Sequence, residues 1–114
     1  MAPLPLVKGT LDTLVLKTLS WGAMHGFEIT SWLEENSDGR LGVEDSALYQ
    51  ALHRLEERNL ITAEWGMTEN NRRARYYSIS AKGKAHLRAE TETWLSYVGA
   101  VSAILTMSRR TRAR

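Results

Sequence analysis

Apolar residues recur at helical spacing in three successive stretches, alternate through two more, and then return to helical spacing near the end. The first stretch, about Thr10 to Trp21, puts Leu11, Leu14, Val15, Thr18 and Leu19 on one face, and Gly22 stands where that helix should stop. The second, about His25 to Asn36, turns Ile29, Trp32 and Leu33 inward and leaves Glu28, Glu34 and Glu35 outside. Ser37-Asp38-Gly39-Arg40 then reads as a turn. The third, ending near Asn59, carries a stripe of Leu48, Ala51, Leu52 and Leu55. Its start is expected at Ser46, whose hydroxyl can cap the amide of Tyr49, or at Asp45 one residue earlier.

From Leu60 the period changes to two. Ile61, Ala63 and Trp65 alternate with Thr62 and Glu64, and Tyr77 alternates with Ser78 ahead of Ile79. Between these strands lies Thr68-Glu69-Asn70-Asn71-Arg72-Arg73, polar, turn-prone and ending in two arginines. Three short helices before a two-stranded hairpin is the order of a winged helix-turn-helix, an α+β fold that is mostly α. A last helix starts at Ser80, a good N-cap, and runs to about Met107. Trp94, Val98, Val101 and Leu105 are spaced four, three and four apart on it, as in a short coiled-coil seam that Leu95, Ala103 and Ile104 widen. Gly99 costs roughly 1 kcal/mol against Ala inside a helix, so a packing reason is expected there. Too little chain remains to cover so long a helix, and a second subunit is its natural cover. The expected organisation is a winged helix-turn-helix over 9–80, a C-terminal dimerisation helix over 81–107 and a basic, disordered tail over 108–114. Met1 to Lys8, with both prolines, reads as an arm along the surface or a partner.

Composition narrows the chemistry. The chain has 114 residues, enough for one domain with a modest core. It has no cysteine, which excludes disulfides, thiolate metal sites and cysteine nucleophiles. His25, His53 and His86 lie far apart without metal-ligand spacing, and no nucleophile–base arrangement stands out, so neither a metal, a cofactor nor an enzyme is expected. The weakly polar run from Tyr97 to Leu105 is far short of the ~20 residues a membrane span needs, and the first residues lack the order of a secretion signal. A cytoplasmic protein is expected.

Net charge is only +2, but its placement is uneven. Between Glu69 and Arg88 there are six basic residues against one acid, and Arg109, Arg110, Arg112 and Arg114 follow with none. Clustered cations on a nearly neutral protein are an electrostatic footprint for nucleic acid. Gln50, His53 and Arg54 lie off the apolar stripe of the third helix, where long polar side chains can read base edges. Asn71, Arg72, Arg73 and Arg75 belong to the hairpin, and its arginines suit phosphates or a minor groove. Tyr49, one residue past Leu48, fits either a partly buried core position or a backbone contact.

At LYQALHRLEERNLI, ENNRRARYYSIS and AKG the chain resembles the PadR family of bacterial transcriptional regulators, and GTLDTLVLKTLSWGAMHGFEI upstream fits the same pattern. The short C-terminal part is similar to the subfamily with a single helix there. The resemblance implies a homodimer that exchanges C-terminal helices, and a repressor that leaves double-stranded DNA on binding a small, often aromatic effector. It also implies a DNA-backbone contact for Tyr49. In some drug-sensing members a tryptophan at what looks like the place of Trp94 sandwiches flat ligands with its twofold mate; heptad spacing alone makes Trp94 a seam residue, and one residue can serve both roles. The family more often has Ser or Thr, then Leu-Tyr-Pro, where this chain has Ala47-Leu48-Tyr49-Gln50. Ala47 therefore lacks a phosphate-binding hydroxyl, for which Ser46 is the candidate substitute. Glu44 and Asp45 suit the helix dipole if they point away from DNA. The rival reading is a winged-helix module that docks on another protein without a DNA operator.

Overall fold

The computed structural model describes Leu4, Leu6, Val7 and residues 9–109. The tail from Arg110 onward, and most of the expected Met1–Lys8 arm, lie outside the described residues. The order is α1 (Thr10–Leu19), α2 (Gly26–Glu35), α3 (Asp45–Glu57), β1 (Ile61–Met67), β2 (Arg73–Ile79) and α4 (Ala81–Leu105). Four helices and one antiparallel hairpin form a winged helix with a long C-terminal helix.

The core collects the apolar stripes of the first three helices. Val15, Leu16 and Leu19 of α1, Ile29 and Leu33 of α2, and Leu48, Leu52 and Leu55 of α3 pack with Leu60, Ile61 and Tyr77 of the hairpin. Thr18, the one buried polar side chain among the described residues, donates its hydroxyl to the Leu14 carbonyl and so enters the core satisfied. Trp32, expected inside, is only partly buried and leans on Trp21 with ring centroids 6.4 Å apart.

The ends of α3 differ from each other. Its N-cap is Glu44, with no side-chain cap bond, so Ser46 and Asp45 lie within the first turn and the expected cap on Tyr49 does not form. The C-terminal end is closed tightly. Asn59 takes a left-handed conformation (φ 62°), the Leu60 amide donates to the Leu55 carbonyl, and the Asn59 amide donates to Glu56. That pattern is a Schellman close, with Leu55 and Leu60 both buried across it. It aims the chain directly into β1.

In the hairpin Ile61 pairs with Ile79, Ala63 with Tyr77, Trp65 with Arg75 and Met67 with Arg73. These residues share one face. Only its base reaches the core: Ile61 and Tyr77 are buried, whereas Trp65 is 62% exposed. The alternation predicts the face correctly, but the hairpin has outrun the core by Trp65. Met24, between α1 and α2, exchanges backbone bonds with Tyr77 and anchors the other edge of β2. The turn closes with the Asn71 amide donating to Thr68 and with Asn71 left-handed (φ 59°), a conformation Asn tolerates.

The start of α4 is pinned to the α3–β1 junction. The Ser80 amide donates to the Leu60 carbonyl at 3.0 Å, its hydroxyl donates to Asn59 O at 2.7 Å, and the Ser80 hydroxyl oxygen accepts from the Gly83 amide at 3.0 Å. The expected N-cap is therefore present. Gly83 is the only buried residue of α4, because a Cβ there would overlap the Leu60 carbonyl oxygen and lie 2.8 Å from Ile79 Cγ1. Beyond that point Leu87 still packs on the core and the helix lies along α1, before its outer part runs out over the surface. Leu95, Ile104 and Leu105 are exposed, while Val98 and Val101 are partly covered. Gly99 has no neighbour within 4 Å of where a Cβ would stand, so nothing within the chain supplies its expected packing reason.

Candidate nucleic-acid interface

The outer face of α3 presents Ser46, Tyr49, Gln50 and His53, all exposed. Tyr49 is 52% exposed, and its phenol lies over the first turn of α2. A Cβ on Gly26 would stand 2.6 Å from its hydroxyl oxygen, so the glycine lets the ring sit there. The α2 terminus is itself ordered by a capping box, in which the Glu28 amide donates to His25 Nδ1 and the His25 amide donates to the Glu28 carboxylate. His25 also meets the Tyr76 ring edge-on, at 5.3 Å between centroids. Gly26 thus seats the candidate contact Tyr49, and His25 links the same helix end to Tyr76 of the hairpin. Periodicity had no means of finding these contacts, since they join the start of α2 to α3 and to β2.

The cations divide by partner. Arg54, expected to read bases, sends Nε and Nη2 to the Asp12 carboxylate at 3.3 and 2.6 Å, tying α3 to α1. That hydrogen bond raises the Arg54 pKa further above its ordinary range, so the charge is fixed, but its fork is spent inside the protein. Arg75 donates to Glu56 at 2.9 Å, binding the hairpin to the last turn of α3, and its guanidinium lies over the Tyr77 ring at 5.9 Å. In each case a carboxylate distant in sequence, 42 residues away for Arg54 and 19 for Arg75, engages the guanidinium. His53 faces Glu57 one turn on, at 3.3 Å. Arg72 and Arg73 have no carboxylate within ion-pair distance among the described residues, and Arg73 rests on Trp65. Asn71 occupies the turn, where its left-handed backbone brings the Arg72 amide round to donate to the Thr68 hydroxyl oxygen.

Trp94 does not join this face. It lines a cavity of about 720 Å³ between α4, α1 and the residues preceding α1, together with Tyr97, Glu90, Thr13, Leu14 and Leu41. Glu90 is the one charged side chain on its wall among the described residues. No described helix is long and apolar enough to cross a membrane.

A helix with a polar outer face, joined through a tight close to a hairpin ending in arginines, defines the class of winged-helix transcriptional regulators. Residues 15–89 match the Transcriptional regulator PadR-like family, and the chain belongs to that family. It is a regulator and not an enzyme. A transcriptional regulator from Clostridium thermocellum is similar in structure, with TM-score 0.77 and 27% identity over 83% of this chain and 92% of that one. A PadR family transcription regulator from Clostridium difficile gives 0.74 and 25% over 85% and 99%. An uncharacterised protein of Lysinibacillus sphaericus is 26% identical over 78% of this chain and 82% of its own length.

Proposed function

We propose that the protein is a homodimeric, cytoplasmic repressor whose residues 9–80 read duplex DNA and whose residues 81–107 join two copies. Gln50 and His53 meet base edges in the major groove, Ser46 and Tyr49 meet the backbone beside them, and Arg72 and Arg73 take phosphates at the hairpin. Arg54 and Arg75 support these contacts by holding α1 and the hairpin against α3, and Asn71 shapes the turn. The observation that carries the reading is this division of charge. The structural arginines are neutralised in place, and the two at the hairpin end have no carboxylate partner among the described residues. Two copies joined along Trp94, Val98, Val101 and Leu105 would present two reading helices, and each copy would cover one half-site.

The test is duplex binding across salt concentrations. Each phosphate contact contributes about 0.9 to the log–log slope, so removing Arg72 and Arg73 together should flatten it by about 1.8 per copy. An unaltered slope removes the hairpin from the interface, and binding indifferent to salt in the parent would favour docking on a protein instead.

The effector belongs in the cavity beside Trp94, whose volume lies within the range of small-molecule sites. Two aromatic side chains and one carboxylate on a largely apolar wall suit a flat aromatic cation. Such a ligand should quench tryptophan emission and weaken operator binding. With four tryptophans in the chain, the decisive comparison is Trp94→Ala, in which both effects should vanish while the dimer persists.

A further inference from the structure

Trp65 is a large indole on the hairpin, 62% exposed, and the core makes no use of it. Its surroundings give it a different employment. Trp65 and Arg75 are direct cross-strand partners, so Arg73, two residues earlier on β2, is its diagonal neighbour on the same face. The Arg73 guanidinium lies over the indole, 4.6 Å from the ring centroid. Met67, the direct partner of Arg73, is exposed beside them.

The manner in which an arginine is held decides what it can still do. Arg54 and Arg75 are held by carboxylates, which neutralise their charge and occupy donors of the fork. A guanidinium resting on a ring face is held by the cation–π attraction, while its N–H groups lie in the guanidinium plane and stay available. Arg73 thus keeps its full charge and its donors while losing much of its rotamer freedom before any ligand arrives. Phosphate is the ligand that this arrangement suits, because the arginine fork matches two of its oxygens. Arg72, in the turn, has no such support.

We infer that Trp65 is a positioning residue of the DNA interface: its ring holds the Arg73 guanidinium so that the fork can close on a backbone phosphate. The inference rests on the DNA-binding reading above and goes beyond it, since it assigns a role to a residue that need not touch the duplex.

The experiment is a double-mutant cycle on the full-length protein, with Trp65→Ala, Arg73→Ala and the double variant binding a random-sequence duplex at low salt. Trp65→Ala should weaken binding about two- to five-fold, the range of an exposed cation–π contact. The same change made in the Arg73→Ala background should do nothing. Arg73→Ala should lower the salt slope by about 0.9 per copy. Trp65→Phe keeps a ring face and should recover most of the affinity, which also separates positioning from any general weakening of the hairpin. A structural role for Trp65 would cost the same with or without Arg73, and that result overturns the inference. Unaltered affinity in Trp65→Ala overturns it as well. In both cases the parent still binds the duplex, and the DNA-binding reading survives. A parent that binds no duplex at any salt concentration overturns both.

Discussion

Gly83→Ala tests how α4 is attached. A methyl at this position would overlap the Leu60 carbonyl oxygen and press on Ile79, so α4 must shift away from the α3–β1 junction. Three bonds depend on that junction: Ser80 N–H to Leu60, Ser80 hydroxyl to Asn59, and Lys82 Nζ to Arg58 at 3.1 Å. Overpacking of this kind costs about 1–3 kcal/mol, and each strained backbone bond adds about 0.5–1.5 kcal/mol. Against this, Ala gains about 0.5–1 kcal/mol over Gly in a helix. The expected net loss is at least about 1.5 kcal/mol, read from urea unfolding at fixed protein concentration, because dimer formation would itself shift the midpoint. Gly99→Ala is the control on the same helix. Its Cβ would meet nothing within the chain, so it should stabilise by about 0.5–1 kcal/mol. A Gly83→Ala protein as stable as the parent would refute the pinned junction. A Gly99→Ala protein that loses its dimer would show that a second copy packs against that glycine.

Val101→Asp puts a carboxylate into the proposed seam and should yield a monomer without tight operator binding; a monomer in sedimentation that still binds undiminished would refute the coupling. Arg54→Ala should destabilise by roughly 0.5–1 kcal/mol through loss of the Asp12 pair, yet leave the salt slope of DNA binding alone; a lower slope would return Arg54 to the interface. Burial raises the Tyr77 pKa above the ordinary tyrosine value, with the Arg75 charge opposing it. The unfolded chain therefore releases this proton first as pH climbs. Its contribution should be full below about pH 10 and should fall above it. Tyr77→Phe should remove that part of the alkaline loss in unfolding curves taken at several pH values.

The helices were legible because each is written by a stripe that only one face can bury, as Leu48, Ala51, Leu52 and Leu55 show for α3. Their ends were less so. Ser46 and Asp45 both have capping chemistry, and Glu44, which does not cap through its side chain, nevertheless takes the N-cap position. Within the candidate site, the outward position of Gln50 and His53 followed from the same stripe. Which arginines would be neutralised did not follow, since Arg54 meets Asp12 only when α1 crosses α3. Trp65 shows the limit of alternation. The pattern tells which side a residue faces, but not whether the core still extends beneath it.

Held at its start by hydrogen bonds and next to it by packing on α1, α4 leaves its outer end with the mechanics of a lever. The helix has 25 residues, so it is roughly 37 Å long, and its fulcrum is the Ser80–Gly83 turn resting on Leu60. A tilt of about 5° there displaces the far end by roughly 3 Å. Leu60 follows directly from the close of α3, so the rotation is geared to the reading helix at the other side of the fulcrum. A grip on the outer arm, from the proposed second copy or the proposed ligand beside Trp94, would therefore bear with mechanical advantage on the placement of α3.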